Sequence, residues 1–346
     1  MIKSIENKVL TNKRLSSSEA LWLFENCPEN KLKQLASFER DKQHAANKAT
    51  YLVMSIINFT NVCVALCDYC SFYVLPRDKK GYLLSFDEIC RRVDELIHFG
   101  GSIVSFNSGF NPKLNISFYQ KLFSKIHEKY PQLTFFEMTI AEFMFACQIS
   151  KMTYNEGAKA LKACGTQWIT GGGAEILEEK FRQQHSPRKY TVKEYFSAQK
   201  AILDSGINST ATMVIGFGES IEQRVQHLET LRHFQDSNER KLPSFLCWTY
   251  KPYGNLLGGQ EIGNNEYCRW LAVCRLYLDN FKHIRTSVLT KNEEALYGLS
   301  YGANDFDLPT EDEVTEKAGA TISHDFEAIL SSCKEIGFEP VRREPF

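Results

Sequence analysis

YLVMSIINFTNVCVALCDYCSFY, residues 51–73, joins a β-type apolar run to three cysteines, Cys63, Cys67 and Cys70, spaced C-x3-C-x2-C. The run over 51–58 reads as a buried strand that ends just before the thiols. The other eight cysteines are scattered along the chain and read as small buried hydrophobes. Three thiols within eight residues, at a strand end, call for chemistry and not only packing.

Outward from this stretch the chain alternates. Strand patterns at 101–107, 132–139, 166–170, 207–217, 243–250 and 283–290 are each preceded by a helical pattern. In 85–100, Ile89, Val93, Leu96 and Ile97 fall at helical spacing. One helix between successive strands is the rhythm of parallel βα units. Six or seven units favour an α/β fold of TIM-type (βα) barrel form, although the pattern alone leaves an open doubly wound sheet available. The expected organisation is a helical N-terminal extension over 1–48, a barrel core over 49–290 and a C-terminal cap over 291–346. Ser16 and Glu19 are spaced as a capping box opening one of the early helices. In such barrels chemistry sits at the C-terminal strand ends. The cysteines, Asn107–Gly109, the Gly171–Gly173 run and Gly216–Glu219 all fall there.

Composition narrows the partners. Lys plus Arg number 41 and Asp plus Glu 42, and no basic run reads as a nucleic-acid patch. There is no apolar stretch of membrane-spanning length and no secretory h-region near the first residue, so a cytoplasmic protein with no membrane partner is expected. Reduced thiols suit that compartment, which argues against a disulfide.

A structural zinc site wants four ligands, usually two pairs, and no second pair lies nearby. Zinc with a distant fourth ligand stays open, as does a cluster-binding scaffold without turnover. Three thiolates suit an iron–sulfur cube that keeps one iron free of protein ligands.

The spacing, Tyr69 before the last cysteine and the βα rhythm together resemble the radical S-adenosylmethionine (SAM) superfamily. The resemblance implies that Cys63, Cys67 and Cys70 ligate a 4Fe–4S cluster whose free iron chelates SAM. An external one-electron reductant of flavodoxin or ferredoxin type would then drive release of a 5′-deoxyadenosyl radical. It implies SAM-binding roles for Tyr69, for Asn107, Ser108 and Gly109 of FNSGFNP, for Gly172, and for Gly216 and Glu219 of TMVIGFGE.

NFTNVCVALCDYCSFY, GGGAEIL, STATMVIG, WTYKP, LAVCRLYLDN and GANDF occur in this order and resemble radical SAM enzymes of the futalosine route to menaquinone and of deazaflavin-cofactor synthesis. The likeness is greatest to the cyclising branch. It implies a small nucleoside-type substrate, dehypoxanthine futalosine, that loses hydrogen from ribose C4′ and closes onto its own benzoate ring. Joining of two substrates, as in aminofutalosine synthase or the deazaflavin enzymes, is the second reading, beside a diverged relative acting on another nucleoside. Glu142, Glu175 and Asp305 are the catalytic candidates, with Asn304 beside them and His185 and Arg188 as partners for a substrate carboxylate. Three departures lie beside the expected pocket: Ser108 in place of a glycine, a 136–142 segment that keeps only Glu142, and Phe217 in place of a histidine.

Overall fold

In the computed structural model, which describes residues 1–239 and 241–345, the strand runs curl into one parallel sheet. β1 (Lys48–Ile57), β2 (Ile103–Phe106), β3 (Thr134–Thr139) and β4 (Trp168–Thr170) follow one another around the wall. The expected strand 207–217 is divided at Thr210. Its first part, β5 (Asn208–Ser209), pairs with β4; its second, β6 (Ala211–Ile215), pairs with β7 (Ser244–Thr249). β8 (His283–Thr286) and β9 (Asp305–Asp312) lead back to β1. The seam between β4 and β6 is stitched by side chains: Thr210 Oγ1 accepts from the Gly171 amide at 3.1 Å, and Thr212 Oγ1 donates to the Gly171 carbonyl at 2.7 Å. The result is a nearly closed barrel, not an open sheet.

Strand alternation sorts the core into two layers. On β1, Val53 and Ile57 join the large outer core under the helices, while Leu52, Met54 and Ile56 join the inner cluster in the lumen. Capping boxes start many of the helices. Ser16 with Glu19, Ser85 with Glu88, Thr153 with Glu156 and Thr191 with Glu194 each satisfy amides that the first helical turn leaves orphaned. In the helix Phe86–His98, Ile89, Val93 and Leu96 are buried as their spacing predicts, but Ile97 is 38% exposed and Cys90 takes its place inside.

Three elements depart from expectation. The helix Ile140–Ser150 has no apolar stripe, because its sequence IAEFMFACQIS is apolar nearly all round and packed between neighbours. The strand expected over 283–290 stops at Thr286, since the Ser287 hydroxyl accepts from the Thr290 amide and caps a helical turn, Val288–Lys291. Most consequential, β9 is a barrel stave, so the wall runs past the boundary expected at residue 290. Phe306 and Leu308 face the outer core, while Asp305, Asp307 and Pro309 alternate with them. That acid-and-proline half hides the strand from a reading by hydrophobicity. A short β10 (Glu339–Arg342) pairs with the start of β1.

Candidate active site

Past Ile57 the chain leaves the wall and folds into the cysteine loop at the C-terminal mouth of the barrel. The Cys63 amide donates to the Val74 carbonyl at 3.0 Å and the Val64 amide to the Phe110 carbonyl at 3.2 Å. These bonds tie the loop to itself and to the turn after β2. Cys63, Cys67 and Cys70 are free thiols, and all three line one open cleft of about 1270 Å³. Burial pushes each thiol up, Cys67 to about 11, while the positive charge of Lys189 pulls all three the other way. Among the described residues, no three Cys, His, Asp or Glu side chains converge as a single metal ion requires. A cube asks less, because each thiolate binds its own iron corner. Three free thiols that line one cleft fit a 4Fe–4S cluster.

The turn after β2 presses against this loop. A Cβ on Gly109 would come within 2.4 Å of the Val62 carbonyl oxygen, so only glycine allows the approach. Ser108, where the family's pattern has glycine, uses its hydroxyl: Oγ accepts from the Phe59 amide at 2.9 Å and the Thr60 amide at 3.4 Å. Asn107, Ser108 and Gly109 all line the cleft. Glu142 does not. It is buried, with Oε1 accepting from the Ser108 amide at 2.9 Å and Oε2 from the Thr139 amide and hydroxyl at 3.0 and 2.7 Å. Burial pushes its carboxyl up to about 8 in spite of these donors. Glu142 holds the turn in place and does not face a substrate.

Gly172 and Glu175 follow β4 and line the cleft. At Gly172 a Cβ would sit 2.6 Å from the Thr139 methyl, so the chain can pass there only without a side chain. Glu175 Oε1 accepts from Lys189 Nζ at 2.8 Å, and the same ammonium lies 3.2 Å from the Tyr69 hydroxyl. Burial opposes the lysine's charge, yet Cys67 and Glu175 hold its affinity for protons above the usual value. Tyr69 leans edge-on against Phe217, with ring centroids 5.2 Å apart. Phe217 thus backs Tyr69, and it also packs on Phe181 and Tyr250.

Several expected residues stand elsewhere. Gly216 and Glu219 build the turn after β6: the Glu219 carboxylate accepts from the Gly216 amide at 2.7 Å, the Phe217 amide at 2.9 Å and Arg224 at 2.6 Å. Neither belongs to the cleft lining. Asp305 is at the opposite end of the barrel. It pairs in register with Thr50, whereas Asp312 pairs with Ile56, so about 20 Å of strand separates Asp305 from the mouth. It is fully buried and held by Arg285 and Arg343; burial alone would raise its pKa, but the two guanidiniums bring it down to about 2. Asn304 beside it accepts from Arg275 and the Ile284 amide. These two residues sit at the floor of the barrel, at the end away from the cysteines. His185 is buried against Asp68 at 2.9 Å, behind the cysteine loop, and Arg188 is exposed. Their neighbour Lys189 does line the cleft, as does Lys251.

Sequence reasoning missed Lys189 and Asp312. Asp312 ends β9, so failing to see that strand hid its position at the mouth. It lines the cleft and is 6% exposed. Its Oδ2 accepts from the Thr315 hydroxyl, and Oδ1 has no hydrogen-bond partner. Burial pushes its carboxyl up to about 7, against the pull of Thr315.

The comparisons with known proteins agree with this geometry. The family model of the radical SAM superfamily matches residues 57–231, and that of the CofH/MqnC C-terminal region matches residues 241–345. The cyclic dehypoxanthine futalosine synthase of Halalkalibacterium halodurans is 33% identical over 99% of this chain and 93% of its own length. That of Streptomyces coelicolor is 32% identical over 99% and 87%. The aminodeoxyfutalosine synthase of Thermus thermophilus is 32% identical over 91% and 86%. Among solved structures, methylornithine synthase superposes with a TM-score of 0.74 over 98% of this chain and 97% of its own, at 16% identity, which speaks to the fold alone. With a matching barrel, a matching C-terminal region and relatives similar from end to end, the chain belongs to the radical SAM superfamily of enzymes, which use a 4Fe–4S cluster and S-adenosylmethionine.

Proposed function

We propose that this chain is a radical SAM cyclase of menaquinone biosynthesis, converting dehypoxanthine futalosine into its cyclic spiro product. The observation that carries the reading is the end-to-end similarity, including the C-terminal region, to two synthases of that product. Cys63, Cys67 and Cys70 would hold the cluster. Tyr69, the Asn107–Gly109 turn, Gly172 and the Glu175–Lys189 pair line the space beside it and would receive SAM. Bound there, cluster and SAM supply a 5′-deoxyadenosyl radical, the agent for removing hydrogen from ribose C4′.

The rest of the work belongs to the chain. Closing one molecule on itself gains from holding ribose and benzoate in a near-attack arrangement. The cleft is suited to that, being lined mainly by apolar side chains such as Phe110, Ala141 and Val214 that keep water from a carbon radical. Below it a narrow second pocket runs into the lumen and shares Asn107, Trp248 and Leu289 with the cleft. Its hydroxyl groups, among them Ser105, Thr170 and Ser244, suit the polar edge of a ligand that reaches down from the cleft. Electrons would come from an external carrier of flavodoxin or ferredoxin type. No helix among the described residues is long and apolar enough to cross a membrane, and we place the enzyme in the cytoplasm.

The test is incubation of anaerobically reconstituted protein with SAM, a one-electron reductant and dehypoxanthine futalosine. The expected products are 5′-deoxyadenosine and the cyclic nucleoside. Release of 5′-deoxyadenosine without cyclisation would favour a relative that joins two substrates. Intact SAM in the presence of a loaded, reduced cluster would end the proposal.

A further inference from the structure

Two described carboxylates line the cleft, Glu175 and Asp312, and their surroundings differ. Glu175 also leaves one buried oxygen, Oε2, without a hydrogen-bond partner, but it has cations beside it, Lys189 at 2.8 Å from Oε1 and Arg182 at 3.9 Å from Oε2. Asp312 has no cation partner among the described ion pairs. Thr315 donates to Oδ2, and the Asn58 side chain and the Val314 amide also bear on the carboxyl as donors. Oδ1 is buried and without a partner. An unsatisfied carboxylate oxygen in an apolar environment has lost its hydration with nothing in return unless a ligand completes it, so its persistence at a cleft wall points to one. Its place, the last residue of a barrel strand at the C-terminal mouth, is where such barrels keep reacting groups.

The geometry points to Asp312 as the group that takes the proton when the cyclised substrate regains its aromatic ring, through the unpartnered Oδ1. This rests on the cyclase reading above. Attack of the C4′ radical on the benzoate ring leaves a cyclohexadienyl radical with an sp³ ring carbon. The C–H bond at that carbon breaks and its electron pair stays in the ring. The proton passes to Asp312 Oδ1. The surplus electron leaves to a one-electron acceptor of iron–sulfur type, and neutral arene remains. A carboxylate raised towards neutrality by burial suits such a transfer, since a proton acceptor works best with a pKa near the working pH. Glu175, whose carboxylate is already engaged by Lys189 at 2.8 Å, is the poorer acceptor.

The experiment compares the wild-type holoenzyme with Asp312→Asn, each given SAM, reductant and dehypoxanthine futalosine, and counts cyclic product per 5′-deoxyadenosine. The amide keeps the shape and the contact to Thr315 but cannot take the proton. We expect Asp312→Asn to release 5′-deoxyadenosine within a few-fold of wild type while cyclic product falls on the order of 10²-fold. Retained SAM cleavage also certifies that the variant is folded and loaded; should it lose cleavage, Asp312→Glu is to restore both cleavage and cyclisation. An unchanged product ratio in Asp312→Asn overturns the assignment and leaves the cyclase reading standing. Wild-type protein that cleaves SAM yet makes no cyclic product overturns the cyclase reading itself, and the assignment with it.

Discussion

Lys189 Nζ and Glu175 Oε1 stand 2.8 Å apart in the cleft wall, both side chains largely out of water. A buried pair is costly to form and costlier to halve, because the surviving charge keeps its desolvation penalty and loses its partner. Lys189→Met should therefore lower stability by about 3 kcal/mol, and adding Glu175→Gln should return part of that loss. Denaturant unfolding of the two single variants and the double variant measures the coupling. Strict additivity would mean that the pair does not interact.

Replacing any one of Cys63, Cys67 and Cys70 by alanine should abolish cluster loading and leave the fold intact. The three thiols lie in the loop beyond β1 and not in the main outer core, so their removal opens little packed volume. Iron and sulfide analysis after anaerobic reconstitution, with far-ultraviolet circular dichroism as the control for folding, checks this. A variant that still holds four irons would disqualify that cysteine as a ligand.

Ser108→Gly restores the family's residue yet removes the acceptor for the Phe59 and Thr60 amides. Leaving buried donors unmade costs about 1–3 kcal/mol. We expect the glycine variant to be less stable by that order and to bind SAM more weakly, because the turn borders the cleft. If the variant is as stable as wild type, the serine is incidental.

Asp305→Asn should cost stability while leaving turnover at saturating substrate near the wild-type value. The carboxylate holds Arg285 and Arg343 together at the barrel floor, and breaking such a buried network costs about 3–5 kcal/mol. Unfolding midpoints and steady-state rates separate the two effects. A folded variant with a large loss in kcat would put Asp305 back among the catalytic groups.

Stability should fall as pH rises from about 6.5 to about 8.5, across the region where buried carboxyls titrate. Glu142 and Asp312, raised by burial to about 8 and about 7, keep protons in the folded chain that the unfolded chain has already released. Each therefore stabilises the fold fully below its ordinary range and loses that contribution as pH climbs through the folded value. His227 and His283, lowered by burial to about 3, act with the opposite sign, but only below their ordinary 6.5. Thermal midpoints across this window test the slope, and Asp312→Asn should make it shallower. A flat profile would show that neither carboxyl is raised.

The barrel and its mouth were legible because βα alternation is written in hydrophobic period, and three thiols at one strand end have few uses. The glycine turns were legible for the same reason: their residues sit at strand ends. What stayed hidden had physical causes. β9 carries aspartates on its inner side, stabilised by Arg285 and Arg343 from distant parts of the chain, and pairing over such distances leaves no local pattern. Asp305 enters as a candidate through the GANDF likeness, which does not say at which end of the barrel the residue lies, and its partners lie at the floor. Lys189 was passed over for Arg188, since nothing in SPRK says which side chain turns inward. Glu142 was visible as an acid near the pocket, but its spacing from Thr139 is also that of a capping box, and the structure uses it so.

β1 draws twice on the C-terminal part of the sequence: β9 flanks it along one side, and β10 pairs with its first four residues, Lys48–Tyr51. During synthesis these positions emerge hundreds of residues before their partners. Until β9 and β10 leave the ribosome, the founding stave shows an open edge, a template for unwanted pairing. Assembly of the circle is thus a late event, and trimming the last dozen residues would injure the beginning of the barrel more than its end.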